Sequence, residues 1–457
     1  MFVSDGGGAR HNRGGCRSVC GCANGPWLTG FRRSVMPVTF SSVSALEVLD
    51  SRGRPTVSVR MALSDGREVR AGVPSGASTG SREATELRDG DAGRYGGRGV
   101  SRATSNVKGP IADALIGRAF GTLEQVDAEL IRLDGTPDKS RLGANAIVGV
   151  SMAAARAFAV ESQQPLWHWL TPDGVRPRLP LPHFNVVNGG AHAPNALEFQ
   201  EFMIAPLGAP SLPEAIRAGA EVYTRLRAAL QELGLGTGLG DEGGFAPDIA
   251  SPEAVLALLV EAIVAAGYTP GRSGVAIALD PAASEFYRDG CYVIGGQSLS
   301  SDELIQRYAQ MVADFPIWSI EDGMGESDAV GWRGLTERLG ERVQLVGDDN
   351  FVTNPQLIRA AVQAGIANAA LIKVNQVGTV SETMEALRVC RAAGYGAMIS
   401  HRSGETCDTF IADLAIGSGC GQIKSGAPAR GERVAKYNRL AEVAADYPDC
   451  GFGLPRG

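Results

Sequence analysis

A short apolar run at residues 369–372 is followed directly by Lys373. Such a run has the character of a buried strand, and an ammonium group buried there is costly unless a partner compensates it. An isolated lysine of this kind ordinarily extends to water at the end of its strand. That interpretation is weaker here, because the same arrangement recurs through the second half of the chain.

Other strand-like runs also end in charged residues. These residues are Asp280, Glu321 and Asp322, Asp348 and Asp349, His401 and Arg402, and Lys424. Charged side chains at the ends of successive strands are what a β/α barrel uses to build an active site at one mouth. We therefore expect a barrel whose mouth carries the chemistry.

Length and composition exclude several classes of protein. The chain has 457 residues, of which 44% are hydrophobic, so it can bury a large core and form two domains. A formal net charge of -7 argues against bulk binding of nucleic acid. We see no apolar run of about 18 residues, the length of a membrane span. The eight cysteines show no paired framework, which favours a reducing cytoplasm.

Three segments are expected. Residues 1–35 are rich in glycine and arginine and lack periodicity, so we expect a disordered extension or a start upstream of the true one. Their cysteines, at positions 16, 20 and 22, have a single nearby histidine, which disfavours a zinc site. Residues 36–172 predict a smaller α+β domain, and residues 173–457 predict the barrel.

Periodicity predicts most of the individual elements. Strands are expected at 38–49, 56–63 and 69–73, and helices at 101–119, 123–133 and 143–161. In the barrel, helices are expected at 212–234, 252–266, 301–313, 328–339, 354–364, 379–394, 408–417 and 431–446. The barrel begins differently, because residues 183–188 and 198–204 predict consecutive strands without a long helix between them. A hairpin start makes the barrel mixed instead of wholly parallel.

Three acids, Asp280, Glu321 and Asp348, follow three successive barrel strands. Hard oxygen ligands in this number suit Mg²⁺, which prefers octahedral oxygen coordination and keeps sites for water or substrate. The alternative is three separate surface acids or ion-pair partners. Their shared place at one barrel mouth favours a metal site.

A glycine-rich stretch at residues 238–247 places Asp241 and Glu242 between glycines. Close backbone approach can desolvate a carboxylate there and raise its pKa, as a general acid requires. A solvated turn is the alternative. His192, Gln200 and Glu201 add polar groups near the first two barrel strands, although a lone histidine is more often structural.

The cluster His401-Arg402-Ser403 has the chemistry of an anion site. Arginine offers a planar fork to phosphate, serine adds a hydroxyl, and Lys424 supplies another cation. The small-residue loop at 75–80, which contains Ser78, can approach a ligand closely or flex as a lid, or it is a plain connection. Cations and acids facing one cavity predict a small, doubly anionic substrate held on metal.

At these positions the chain resembles the enolase family over residues 37 to about 440. Six motifs carry the resemblance: LDSRG at 49–53, SGASTG at 75–80, GDEGGF at 240–245, SIED at 319–322, LIKVNQ at 371–376 and SHRSGET at 400–406. The resemblance implies an α+β domain before a barrel with a ββαα start. It also implies a glycolytic lyase that dehydrates 2-phospho-D-glycerate to phosphoenolpyruvate and water.

The resemblance also implies roles for individual residues. Lys373 corresponds to the base at C2, and Glu242, assisted by Glu201, to the acid at the C3 hydroxyl. Two Mg²⁺ ions are implied, with the first on Asp280, Glu321 and Asp348 and the second on Ser78. Substrate contacts are implied for the following residues: Gln200, Lys373, His401, Arg402, Ser403 and Lys424. His192 corresponds to a histidine lining the site, and no catalytic position departs from the family pattern.

Two alternatives stay open at this point. Another enzyme of the same superfamily, such as an acid-sugar dehydratase, does not need the phosphate cluster at 402–403. A non-catalytic binding protein on the same fold predicts loss of catalytic residues, and none is lost. The resemblance further implies a homodimer or homo-octamer in the cytoplasm, and it allows a surface or secreted fraction.

Overall fold

The computed structural model describes residues 37–77 and 79–455. The predicted N-terminal extension and the metal-ligand prediction for Ser78 therefore lie outside the described residues. Everything below concerns the described part of the chain.

The first part of the described chain is built on an antiparallel sheet. Its strands are β1 (Val38–Leu49), β2 (Pro55–Leu63), β3 (Glu68–Gly72) and β4 (Ala119–Phe120), in the order β3-β2-β1-β4. The helix at Ala144–Glu161 packs on β2 and β3. Gly149 makes this close packing feasible, because a Cβ atom there would lie 2.7 Å from Val59 Cγ2.

The helices of this part are mostly as the sequence predicts. They are α1 (Ser101–Asn106), α2 (Ala112–Leu115), α3 (Leu123–Asp134), α4 (Ala144–Glu161) and α5 (Leu166–Trp169). The prediction of one helix over 101–119 was wrong. Backbone angles at Gly109 are non-helical and Pro110 follows within a π turn at Val107–Ile111, because proline lacks the amide hydrogen that a regular helix needs.

Helix α4 is long and apolar enough to cross a membrane by composition, yet 83% of that window is buried inside the protein. It is the central core helix of this region, as its packing against β2 and β3 shows. A core helix and a membrane span share the same apolar composition, so burial is what distinguishes them.

A closed eight-stranded barrel forms the second part. Its strands are β6 (Leu181–Asn188), β7 (Glu201–Ala205), β8 (Ala276–Asp280), β12 (Ile317–Glu321), β13 (Gln344–Gly347), β14 (Ala369–Ile372), β15 (Gly396–Ser400) and β16 (Gln422–Lys424). Strand β7 pairs antiparallel with both β6 and β8, and the other neighbours are parallel. The mixed barrel predicted from the sequence is confirmed.

The barrel helices agree with the predicted spans to within two residues. They are α6 (Leu212–Glu232), α7 (Pro252–Ala265), α8 (Ser301–Asp314), α9 (Ala329–Leu339), α10 (Pro355–Ala364), α12 (Val380–Ala393), α13 (Phe410–Ser418) and α14 (Gly431–Asp446), with a short α11 (Val374–Val377). Smaller elements complete the described chain: strand β5 (Arg178–Leu179) paired with β17 (Gly451–Phe452), and 3₁₀ turns at Tyr95–Gly97, Gly190–His192 and Ala283–Phe286.

One element was not predicted. After β8, the strands β9 (Tyr287–Arg288), β10 (Cys291–Ile294) and β11 (Gln297–Leu299) form a small antiparallel sheet outside the barrel. Gly295 and Gly296, both at positive φ, make the turn between β10 and β11. The sheet occupies the interval between β8 and α8, so it leaves the alternation of barrel strands and helices intact.

Candidate active site

The ends of the barrel strands bring the predicted charged residues to one mouth. Eleven residues line a single small cavity there: His192, Gln200, Glu201, Glu242, Asp280, Lys373, Ser400, His401, Arg402, Ser403 and Lys424. Most of these charged side chains are buried. Burying so many charges is feasible only where opposite charges and hydrogen bonds compensate one another.

Lys424 connects three of the acids. Its Nζ lies 2.7 Å from Glu321 Oε1, 3.1 Å from Asp280 Oδ2 and 3.1 Å from Glu201 Oε2. Burial acts to lower the pKa of Lys424, but the surrounding carboxylates hold it well above its ordinary value. Lys424 is therefore a fixed positive charge at the centre of the mouth.

Lys373 follows the last residue of β14, as the sequence indicated. Its Nζ donates a short hydrogen bond to Asp348 Oδ2, and the Gln376 amide donates to Asp348 Oδ1 at 2.9 Å. Burial acts to lower the pKa of Lys373, but Asp348 raises it above the ordinary value. This direction is opposite to the lowering that a general base at neutral pH needs.

Glu242 and Glu201 form the second group, with His192 between them. His192 Nδ1 lies 3.5 Å from Glu201 Oε1 and 3.7 Å from Glu242 Oε1. Asn185 donates to Glu242 Oε2 at 3.0 Å, and His401 Nε2 lies 3.1 Å from the same oxygen. Asn185 lies in the strand predicted at 183–188, but no role in the site was predicted for it.

The two glutamates differ in their pKa. Burial, reinforced by the charge of Glu242, raises the pKa of Glu201 well above its ordinary value. Burial also acts to raise the pKa of Glu242, but His401, His192 and the nearby Arg433 hold it well below. The sequence led us to expect a raised pKa for the acid in the glycine-rich turn, and that expectation was wrong, because the two histidines and Arg433 outweigh burial. The opposed directions favour a protonated Glu201 beside an ionised Glu242.

The glycine-rich turn is shaped by close packing against Asn188. A Cβ atom on Gly240 or on Gly244 would lie 2.7 Å from Asn188 atoms. The backbone of Asn188 also pairs with Phe245, since its amide donates to the Phe245 carbonyl at 2.8 Å. These contacts hold the turn, and with it Glu242, against the end of β6.

The predicted anion cluster connects the barrel to the loops of the first region. Arg402 makes a two-pronged ion pair with Glu83, with both N–O distances 3.0 Å, and it also donates to Asn375 Oδ1 at 3.1 Å. The Ala77 amide donates to Ser403 Oγ at 2.8 Å. Glu83 and Asn375 were not among the predicted site residues, although both stand within or beside quoted motifs.

A larger cavity of about 370 Å³ lies beside these residues. Its lining includes Gly76, Glu83, Glu86, Asn375 and Arg402. It shares Arg402 with the small cavity at the mouth, so the two spaces adjoin. Space for a small molecule therefore exists next to the buried charges.

The acids also provide ligands for a metal ion. Within the described ranges, two groups have ligand atoms within 4.8 Å of one another: His192, Glu201 and Glu242, and Asp322, Asp348 and Asp349. Asp322 was not predicted as a site residue. The three predicted ligands instead form ion pairs with two lysines. Asp280 and Glu321 pair with Lys424, and Asp348 pairs with Lys373.

A donor set of this kind fits a hard divalent cation. All three predicted ligands offer carboxylate oxygens, and Glu321 Oε2 is buried without a hydrogen-bond partner among the described residues. An orphaned buried oxygen is costly, and a cation bound there would relieve it. The residues therefore fit a hard divalent cation.

Comparison with known proteins agrees with this arrangement. Residues 40–170 match the family model described as "Enolase, N-terminal domain", and residues 176–449 match "Enolase, C-terminal TIM barrel domain". The enolase of Acidothermus cellulolyticus is 55% identical over 411 residues, which cover 90% of this chain and 95% of that protein. The enolase of Rubrobacter xylanophilus is 52% identical over 91% of this chain and 98% of its own length. The enolase of Mycobacterium leprae is 53% identical over 91% and 96%. These matches confirm the resemblance found in the motifs, and the chain belongs to the enolase family.

Proposed function

We propose that this enzyme catalyses the reversible dehydration of 2-phospho-D-glycerate to phosphoenolpyruvate and water, the phosphopyruvate hydratase step of glycolysis. Family membership supports a hydro-lyase of this kind. The observation that carries the proposal is the composition of one small cavity. A candidate base, Lys373, a pair of candidate acids, Glu201 and Glu242, and the anion-binding Arg402 all line it.

The reaction begins with removal of the proton at C2 by Lys373. The substrate carboxylate makes that proton poorly acidic, so the cavity must stabilise additional negative charge as the proton leaves. Lys424, buried and permanently charged, provides part of this stabilisation. Lys373 can act as a base only when its own proton is lost, and its contact with Asp348 opposes that loss.

Mg²⁺ is the proposed cofactor, two ions per active site, with Asp280, Glu321, Asp348 and Ser78 as the protein ligands. Carboxylate oxygens are the ligands that Mg²⁺ prefers. When bound, Mg²⁺ supplies positive charge that neutralises these acids and stabilises the anionic form of the substrate.

Loss of the C3 hydroxyl needs a proton, and the Glu201–Glu242 pair supplies it. Glu242 is the proposed acid, with Glu201 assisting. The low pKa of Glu242 opposes this role, so Glu242 must first take up a proton, either from Glu201, whose pKa is raised, or from water. His192 lies within 3.7 Å of both carboxyl groups, so it can orient them. The opposed pKa directions of the two glutamates support a single shared proton.

The phosphate group of the substrate is assigned to Arg402 and Ser403, with Gln200, His401 and Lys424 as further contacts. Burial acts against the charge of Arg402, but Glu83 raises its pKa above the ordinary value, so the guanidinium stays charged. The two-pronged pair with Glu83 also fixes the plane of the guanidinium. A guanidinium held in one plane can present donors to a phosphate group, which would share them with Glu83.

We also propose a cytoplasmic homodimer or homo-octamer, with a surface or secreted fraction allowed. Membership of the enolase family supports this proposal. Size measurement by light scattering distinguishes these assemblies from a monomer.

A coupled absorbance assay for phosphoenolpyruvate tests the activity. We expect turnover of 2-phosphoglycerate with Mg²⁺ and its abolition by excess chelator, with recovery when Mg²⁺ is restored. Full turnover in excess chelator after exhaustive dialysis would contradict the metal proposal. Turnover of an unphosphorylated acid sugar, with none of 2-phosphoglycerate, would instead favour another dehydratase of the superfamily.

A further inference from the structure

Arg433 is a fully buried charged residue outside the site described so far. It lies in the first turn of α14, and its exposed fraction is 0%. A guanidinium has five N–H donors and no acceptor, and it stays charged at any pH a protein tolerates. A buried arginine therefore needs several acceptors close to its guanidinium, and the identity of those acceptors shows what it organises.

The acceptors of Arg433 come from the loops that carry the site. Nη1 donates to the Arg402 carbonyl at 2.6 Å, and Nη2 donates to the Ser403 carbonyl at 2.5 Å. Nη2 also donates to the carbonyl of Asp241, the neighbour of Glu242, at 3.1 Å. Arg433 thus joins the 401–403 loop to the glycine-rich turn.

A further contact of Arg433 is with the His401 ring itself. Nη1 lies 2.5 Å from His401 Nδ1. Because arginine can only donate, Nδ1 must be the acceptor and carries no hydrogen. The hydrogen of the neutral ring is then on Nε2, which lies 3.1 Å from Glu242 Oε2.

We propose that Arg433 is a positioning residue that fixes His401 in the neutral tautomer with hydrogen on Nε2, so that the ring presents a donor to Glu242. The inference rests on the proposed function for its consequence in catalysis. The tautomer itself follows from the contacts alone. Arg433 touches no reacting atom, so it acts through His401.

The surroundings of His401 agree with a neutral ring. Glu242 faces Nε2, Arg433 faces Nδ1, and Lys424 lies nearby on β16; His192, Glu201 and Lys373 line the same cavity. Burial, together with the charges of Arg433 and Lys424, lowers the pKa of His401 to about 3 against the pull of Glu242. Loss of the guanidinium contact removes one of the causes that keep the ring neutral.

Arg430 provides a matched control in the same segment. Its guanidinium donates to the Gly240 carbonyl at 3.1 Å and to the Ser51 carbonyl at 2.7 Å. It therefore supports the same glycine-rich turn without a contact to the His401 ring among the described hydrogen bonds. A change that follows only from lost support of the turn should appear in both arginine variants.

The experiment is long-range ¹H–¹⁵N NMR of the histidine rings in the full-length enzyme, combined with the pH profile of kcat. The chain has five histidines, so the rings can be resolved, and His401→Gln assigns the signal. The unmodified enzyme should show His401 with an unprotonated Nδ1 and a protonated Nε2 from pH 6 to 8. Arg433→Lys should give mixed tautomers or a titration of His401 within that range.

Arg433→Lys should lower kcat roughly 10–100-fold, as loss of a positioning partner commonly does. The pH profile of kcat should also gain an ionisation on its acid side. Substrate KM should change less than kcat. Arg430→Lys should leave the His401 signal and the shape of the pH profile unchanged. Circular dichroism establishes folding of each variant.

Three results would overturn the proposal. One is protonated Nδ1 in the unmodified enzyme, which needs no variant to fold. Another is an unchanged His401 tautomer and pH profile in folded Arg433→Lys, even with reduced activity. The third is the same tautomer change in Arg430→Lys. Should the enzyme lack hydratase activity altogether, the tautomer measurement still decides the positioning role, so failure of the two proposals is distinguishable.

Discussion

The two ends of the barrel contain the same eight strands and opposite chemistry. At the mouth, Glu201 begins the antiparallel strand β7, and Asp280, Glu321 and Lys424 end their strands. The charge of Lys424 pairs with the three acids across the interior. At the other end, strands begin with small apolar side chains and neutral amides. The interior there is filled by the following residues: Leu181, Met203, Ala205, Ala276, Ala278 and Trp318, and on the facing strands Val346, Ala369, Leu371 and Met398.

Two buried histidines show the same difference. His183 accepts a hydrogen bond from Trp318 Nε1 at 3.2 Å, within the strands, and burial lowers its pKa to about 4. His401 lies between an arginine and a glutamate at the mouth. Both rings are neutral, but only the second contacts groups that can exchange protons with a ligand. Changes at the mouth should therefore affect activity, and changes at the opposite end should affect stability.

The largest expected effect is at Lys373. Lys373→Ala should lower kcat by roughly 10³–10⁴-fold, because general base catalysis contributes up to that range. It should also abolish exchange of the C2 proton of 2-phosphoglycerate with D₂O, measured by NMR of recovered substrate. The control is Lys139→Met, which removes another buried lysine, paired with Glu382 outside the cavity. Exchange at the wild-type rate in folded Lys373→Ala would show that another group is the base.

A smaller effect is expected at Glu242, and it separates the two halves of the reaction. Glu242→Gln should lower dehydration roughly 10²-fold or more, since the acid at C3 is lost. Exchange at C2 should persist, because Lys373 is intact. Glu201→Gln is the matched variant and should preserve more dehydration, because the acid Glu242 remains and can still take its proton from water. Equal loss of exchange and dehydration in Glu242→Gln would argue against separate steps.

The sequence correctly predicted the helices and strands that depend on local sequence patterns. Amphipathic periodicity and capping residues such as Ser251, Ser300 and Asn354 define the barrel helices, and their ends were predicted to within two residues. The 101–119 segment failed because apolar periodicity continues through Gly109 and Pro110 while the backbone cannot. Local pattern therefore predicts where an element lies unless backbone chemistry interrupts it.

The sequence predicted which residues line the site better than it predicted the directions of their pKa shifts. Charges after strands identified the lining residues, since strand ends converge at one mouth. The partners Glu83 and Arg433 were missed, because each reaches the site from a distant segment through tertiary packing. The lowered pKa of Glu242 was also missed, because it depends on where the fold places His401, His192 and Arg433 around the carboxyl group. The proposed roles of the residues remain predictions.

At the opposite end, His183 should contribute a pH-dependent stability without affecting activity. Its pKa is about 4 in the folded protein and about 6.5 when unfolded. The depressed value means that the unfolded chain binds the proton first, so stability present above pH 6.5 is lost as pH falls toward 4. The loss at pH 4.5 should be roughly 2–3 kcal/mol.

His183→Gln isolates this contribution, because it can still accept from Trp318 and does not titrate. Free energies of unfolding in urea at pH 7.5 and pH 4.5 should fall less in His183→Gln than in the unmodified enzyme, and kcat at pH 7.5 should agree within about twofold. An equal fall in both proteins would mean that His183 is protonated in the folded state or does not titrate as described. A large loss of kcat would contradict the separation of the two ends.

The smallest effect is expected at two amide side chains, Gln344 and Gln422, which lie at the same end of the barrel as His183. Gln344 Nε2 donates to Gln422 Oε1 at 3.0 Å, and Gln422 Nε2 donates back to Gln344 Oε1 at 2.9 Å. Gln344→Leu leaves the Gln422 amide buried without that partner, which should cost about 1–3 kcal/mol of unfolding free energy. The double variant, with both residues changed to Leu, should cost less than the sum of the single variants, because no amide is then stranded. Denaturant unfolding of the four proteins measures this coupling, and kcat should stay within about twofold throughout. If the losses of unfolding free energy are additive, the two amides are solvated independently. A loss of activity would show that packing at this end of the barrel affects the mouth.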